Sequence, residues 1–193
     1  MSLKTRFGNL GNILDFDNLT EENIYVLDSP ILTNSQFKKF KKFFSKKIKV
    51  IDCTFDITSS LKDRIESIRE ETETAVREGS SALILSDKNI SNQKASIPSI
   101  LTVGAVHSHL VKQGLRGYCS LNVECSDALD THSFAVLIGV GATTVNPYLA
   151  IDSIYQRFEK KLFGKADFES CVVKFKKSID AGLLKIMSKM GIS

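Results

Sequence analysis

Apolar positions along this chain recur with two periods, and the two alternate. "NIYVLDSPIL" (23–32) reads as a first short strand, and "TNSQFKKFKKFF" (33–44) then switches to helical spacing. Phe37, Phe40 and Phe44 fall at i, i+3 and i+7, an apolar stripe with lysines around it, and Thr33 or Asn34 is placed to cap the helix. "IKVIDCTF" (48–55) is a strand. "SLKDRIESIREETETAVREG" (60–79) is the clearest helix, with Leu61, Ile65, Ile68, Ala75 and Val76 on one face and Gly79 as its C-cap. "SALILSD" (81–87) is a short apolar strand. "SIPSILTVGAVHSHLVKQG" (96–114) is a helix, with Ser96 as its cap, Pro98 in its first turn and Gly114 at its end. "YCSLNVEC" (118–125) alternates as a strand, "DTHSFAVLIG" (130–139) is helical and "TTVNP" (143–147) is a strand. Helical stretches over about 147–163 and 167–189 follow.

This alternation predicts an α/β fold, a mostly parallel sheet flanked by helices. Right-handed crossovers would bring the strand ends to one edge. The predicted strands finish on polar residues there: Ser29, Asp52, Ser86 with Asp87, Glu124 and Asn146. In such folds ligands bind at the C-terminal ends of the strands. The same residue types also cap helices and form turns, so a ligand face and a set of caps both remain open.

Length and composition change this picture little. A chain of 193 residues suits one domain or a large part of one, and a net charge of +4 with acidic residues throughout demands no polyanionic partner. The lysines of "KKFKKFFSKKIK" surround the phenylalanine stripe, as an amphipathic helix requires, and no RNA-binding aromatic motif accompanies them. No apolar run reaches the 18 or so residues of a membrane span, and the N-terminus has no apolar signal core. The four cysteines, Cys53, Cys119, Cys125 and Cys171, form no C-x-x-C pair and have no histidine at zinc spacing, which points to reduced thiols in a cytoplasmic protein without a metal site.

The remaining chemistry is thin. His107 and His109 lie two apart on a predicted helix, where they point to opposite sides and cannot share one ion. Gly139 and Gly141 close a helix and precede a strand, the reverse of a dinucleotide-binding loop. No nucleophile, base and orienting group occur at a recognisable spacing.

Three long stretches, "LSDKNISNQKASIPSILTVGAVHSHLVKQGLR", "HSFAVLIGVGATTVNPYLAID" and "GLLKIMSKMGIS", closely resemble the large chain of bacterial glutamate synthases. They resemble the second half of its central domain and the junction with its flavin domain, over about Asn9 to Ser193. The resemblance implies a lead-in over 1–24, an α/β central-domain fragment over 25–180 and a junction to the flavin domain over 181–193. It implies a partial barrel-like fold related to that flavin domain. In the parent, an N-terminal glutaminase domain releases ammonia from glutamine. A domain holding FMN and a 3Fe-4S cluster then uses the ammonia and 2-oxoglutarate to make glutamate. The central domain carries no cofactor, spaces the two and helps frame the ammonia tunnel. Its implied partners are those two domains and the small reductase subunit, with neither nucleic acid nor membrane.

No catalytic residue of the family transfers to this chain. It has no catalytic N-terminal cysteine, no flavin-phosphate loop and no cysteine run for the cluster. Lys88 replaces a common arginine, Ser108 and Ser133 stand where histidine is frequent, and Val140 where tyrosine is frequent. Lys189 and Met190, in the junction motif, are the candidates for approaching the flavin. The alternatives are a standalone small-anion-binding enzyme working through Asp52, Asp87, Glu124 and Asn146, and an interaction module built on the lysine-rich helix. The stretch from Lys189 onward is expected to be loosely held.

Overall fold

The computed structural model describes residues 1–7 and 24–192. The first half of the chain supplies β1 (Thr5–Phe7), β2 (Tyr25–Leu27), α1 (Asn34–Phe44), β3 (Ile48–Asp52), β4 (Thr54–Asp56), α2 (Leu61–Arg77) and β5 (Ala82–Ser86). The second half supplies β6 (Lys94–Ser96), α3 (Ser99–Lys112), β7 (Ser120–Glu124), α4 (Thr131–Gly139), β8 (Thr144–Asn146), α5 (Tyr148–Glu159) and α6 (Phe168–Met190). Four strands form the central sheet, all parallel, in the order β3-β5-β7-β8. Each step moves one place in the same direction, as successive strand-helix units do.

Side chains alternate across this sheet, and the two faces are covered differently. Ile51, Leu83, Leu85, Leu121, Val123 and Val145 join the larger core, with Ile68 and Val76 of α2, Val103 and Leu110 of α3, Phe134 of α4 and Leu183 of α6. The opposite face presents Ile48, Ala82 and Ile84 to Phe37, Phe40 and Phe44 of α1, with Leu27 and Leu32 beside them. The phenylalanine stripe thus packs on this side of the sheet over β3 and β5. Thr33 starts α1 through a capping box: its hydroxyl accepts the Gln36 N–H, and the Gln36 side chain accepts the Thr33 N–H at 3.0 Å.

Several expected elements are divided. "NIYVLDSPIL" splits at Ser29-Pro30: β2 pairs antiparallel with β1, a strand inside the expected lead-in, while Ile31 pairs in parallel with Val145. Leu32 N–H donates to the Val145 carbonyl and Val145 N–H to that of Pro30, both at 2.9 Å. "IKVIDCTF" breaks at Cys53, because the Asp52 carboxylate accepts the N–H and hydroxyl of Thr54 and turns the chain into a ribbon, β4 with β6.

That ribbon also corrects the expected cap of α3. Ser96 is spent pairing with Thr54, and the helix begins after Pro98. Asp127, from the loop after β7, accepts the Ser99 N–H at 2.9 Å instead. A tertiary carboxylate thus does what a local hydroxyl was expected to do. Gly79 takes a positive φ of 94° one residue beyond the end position of α2. The segment 8–23, where the resemblance begins, lies outside the described residues.

The stripe on α1 gives a direct test. Replacing fully buried Phe40 by alanine is expected to cost about 3–5 kcal/mol in urea unfolding. Exposed Lys38→Ala is expected to stay within about 0.5 kcal/mol.

Candidate functional site

The register of the central sheet aligns four of the expected strand-end residues. Asp52 lies opposite Ser86, Ser86 opposite Glu124, and Glu124 opposite Asn146. In-register neighbours in a parallel sheet point to the same side, so the four form one polar row across its last rung. The row lies on the face that α1 covers.

Glu124 is its centre. It is 4% exposed, and its carboxylate accepts the Ser86 hydroxyl at 2.7 Å. Lys41 of α1 reaches it at 3.3 Å and Lys88, just past β5, at 3.1 Å. Burial pushes this carboxyl upward, but the Ser86 hydrogen bond and the two ammonium groups outweigh burial and hold it below the ordinary glutamate range. The two ammonium groups also lie over rings, Lys41 over Phe37 and Lys88 over Tyr148.

The ends of the row are equally occupied. Asp52 accepts from Thr54 and from Asn89 at 3.0 Å, with Lys94 at 3.7 Å. Burial raises its carboxyl, and these hydrogen bonds together with Lys94 bring it below the usual value. Asn146 donates to the Leu32 carbonyl at 2.9 Å and to Asn34 at 3.0 Å, fastening the start of α1 to β8. One rung below, Asn122 donates to the Leu83 carbonyl and to Ser120, and accepts the Thr144 hydroxyl at 2.7 Å.

Two expected residues lie off the row. Asp87 is buried, and its Oδ2 accepts the Ser126 N–H at 2.9 Å and hydroxyl at 2.6 Å, bracing the loop after β7. Burial, with the adjacent Asp87 charge, pushes the Tyr148 hydroxyl above its usual range. Ser29 donates to Asp180 of α6 at 2.7 Å and accepts the Ile31 N–H. Lys189 and Met190 sit in the last turn of α6, and neither shares an ion pair or hydrogen bond with the row among the described residues.

Among the described residues, neither the cysteines nor the G-x-G stretch suits an iron–sulfur cluster or a flavin phosphate. Among the described residues no group of three or more His, Cys, Asp or Glu could hold a metal ion. Burial pushes the Cys53 thiol up to about 12 and raises Cys119 and Cys125, which disfavours the thiolate a ligand needs. Gly139 and Gly141 end α4, with Gly141 at a φ of 118° against His107, rather than opening a helix after a strand. The two histidines take separate partners: His107 accepts from Arg116 at 3.1 Å, and His109 meets Glu73 at 2.7 Å.

The arrangement therefore joins parts rather than moving protons. Glu124 is held ionised and is a poor base, and both lysines beside it pair with it. Sequence reasoning missed Lys41, Lys88, Asn122 and Thr144 as members of the network. The alternation of "SLNVE" carried the signal for Asn122, since it puts Ser120, Asn122 and Glu124 on one side.

Because the folded carboxyl titrates low, the stability it contributes is complete above the unfolded value near about 4.3 and is lost as pH falls through the folded one. Glu124→Gln is expected to cost about 2 kcal/mol at pH 7, with the gap to the unsubstituted chain closing in acid. Urea midpoints between pH 7 and pH 3 check this, and a loss independent of pH would count against the ionic lock.

Residues 1–193 match the family described as glutamate synthase central domain. The chain is 50% identical over 196 residues to the glutamate synthase [NADPH] large chain of Azospirillum brasilense, covering 100% of this chain and 13% of that protein. It is 41% identical over 173 residues to the corresponding large chain of Bacillus subtilis, covering 86% of this chain and 11% of that one. With the ferredoxin-dependent glutamate synthase of Pyropia yezoensis the identity is 36% over 206 residues, covering 100% of this chain and 13% of that protein. Among solved structures, DHODH from Eimeria tenella in complex with ferulenol aligns at TM-score 0.48 and 14% identity, over 75% of this chain and 35% of that one.

Proposed function

This chain belongs to the glutamate synthase family as its central domain, and from that premise we propose that it is the non-catalytic spacer of a reductive glutamate-forming enzyme. The parent activity is the conversion of glutamine and 2-oxoglutarate to two molecules of glutamate. The chain spans about one-eighth of the length of these relatives, so the activity belongs to the longer polypeptide. Its partners there are the glutaminase and FMN domains of the same chain, with the small reductase subunit as a further one. FMN and the 3Fe-4S cluster supply the electron transfer from the parent's flavin domain, and this segment helps frame the ammonia passage between the two active sites. Lys189 and Met190 stand where the chain leads toward the flavin domain. The setting is the cytoplasm, and among the described residues no helix is long and apolar enough to cross a membrane.

The observation that carries this reading is the match over residues 1–193. The strand-end row supports it: the groups best placed for chemistry there are spent holding α1 and the loop after β5 to the sheet. A spacer needs that rigidity more than it needs a free acid or base.

The test uses the longer parent chain carrying Glu124→Gln. Glutaminase activity and synthesis from added ammonia are expected to stay within about twofold, while synthesis from glutamine falls about threefold or more because the two sites lose register. Equal loss of all three activities, or no loss of coupling, would overturn the spacer role. The 193-residue chain is expected to show neither activity, and a bound-flavin absorption band would contradict the assignment.

A further inference from the structure

Outside the strand-end row, one surface is built like an interior but lies open among the described residues. The outer side of α4, the last turns of α6 and the N-terminal residues 2–5 line a groove of about 690 Å³. Leu3, Val136, Ile138, Leu183, Met187 and Met190 are among its walls. The groove is apolar because α6 stays amphipathic beyond the domain's own core. Val172, Ile179 and Leu183 are buried, and the helix continues with Ile186, Met187 and Met190 at helical spacing, ending with Met190 66% exposed. A monomer gains nothing from such a continuation in water.

Two backbone features shape the groove. Gly182 lets α6 approach the start of α4 so closely that a Cβ there would lie 2.5 Å from Thr131 Cγ2. The end of α6 closes in a Schellman motif, with Met190 and Ile192 left exposed. Gly191 adopts the left-handed conformation, its N–H donates to the Ser188 carbonyl, and Ile192 N–H donates to that of Met187 at 3.1 Å. That turn brings Ile192, 51% exposed, onto the groove lining.

We propose that this groove is the seat of the polypeptide that follows residue 193 in the longer glutamate synthase chain, which lays apolar side chains between α4 and α6. The proposal rests on the spacer reading above. Two observations choose this occupant. The relatives that this chain matches in full are nearly eight times longer, and the helix cap delivers the chain to the groove's rim. Met187 and Met190 suit the contact, since unbranched thioether side chains adapt to an irregular apolar partner.

The experiment places single cysteines at Val136 and, separately, Met187 in the full-length parent. Maleimide labelling is read at those residues by mass spectrometry, with exposed Lys38→Cys as the reference. Both groove cysteines are expected to label at least about tenfold slower than the reference, and to approach its rate when the parent is truncated after residue 193. Labelling as fast as the reference in the full chain would overturn the proposal. So would protection that survives truncation, or protection that rises with protein concentration, which would mark another segment or a second copy as the occupant. Two positions guard against one variant failing to fold. Glutamine-dependent synthesis by the same full-length protein, measured in parallel, separates failure of this inference from failure of the spacer reading.

Discussion

A buried carboxylate must find its counter-charges close by, and much of this structure follows from how Glu124 does so. It stands at the end of β7, 4% exposed, where an unpaired charge would be ruinous. The solution draws on three separate parts of the chain: Ser86 from the neighbouring strand, Lys88 from the loop beyond it and Lys41 from α1. Lys41 lies one residue past Phe40, so the helix face that buries its phenylalanines also aims this lysine at the sheet edge. Apolar packing and ion pairing therefore fix the same helix in the same place, and neither would set its position along the strands alone.

The polar row beside Glu124 extends that effect across the sheet. Asn146 binds the Leu32 carbonyl and Asn34, so the segment entering α1 is tied to β8, while Asp52 holds the break between β3 and β4. Below them, Asn122 bridges β5 and β8 through Leu83 and Thr144. In many α/β proteins this edge receives a ligand. Here the row's side chains pair within the chain, while Oδ1 of buried Asp87 beside it has no partner among the described residues.

The two ends of the described chain differ in character from this edge. The groove between α4 and α6 is apolar where the strand-end row is charged, and it is open where the row is closed. A domain inside a longer chain must be stable within itself and incomplete toward its neighbours. The locked row and the unfilled groove express those two demands at separate places.

Local periods made the elements legible in the sequence. The spacing of Phe37, Phe40 and Phe44, the alternation of "SLNVE" and the polar residues closing each strand are short-range facts, and the structure uses them all. The family was legible too, because long motifs carry more information than any single residue. The roles of the strand-end residues were not. That Asp52, Ser86, Glu124 and Asn146 share one rung depends on strand register, and that Lys41 meets a carboxylate 83 residues away depends on which helix covers which face. The split of "IKVIDCTF" and the capping of α3 by Asp127 are likewise bargains between distant segments. The sequence by itself determined which residues could be buried, paired or capped. Only the tertiary structure decided with whom, since burial removes water as the alternative partner and makes each polar group depend on what the fold brings beside it.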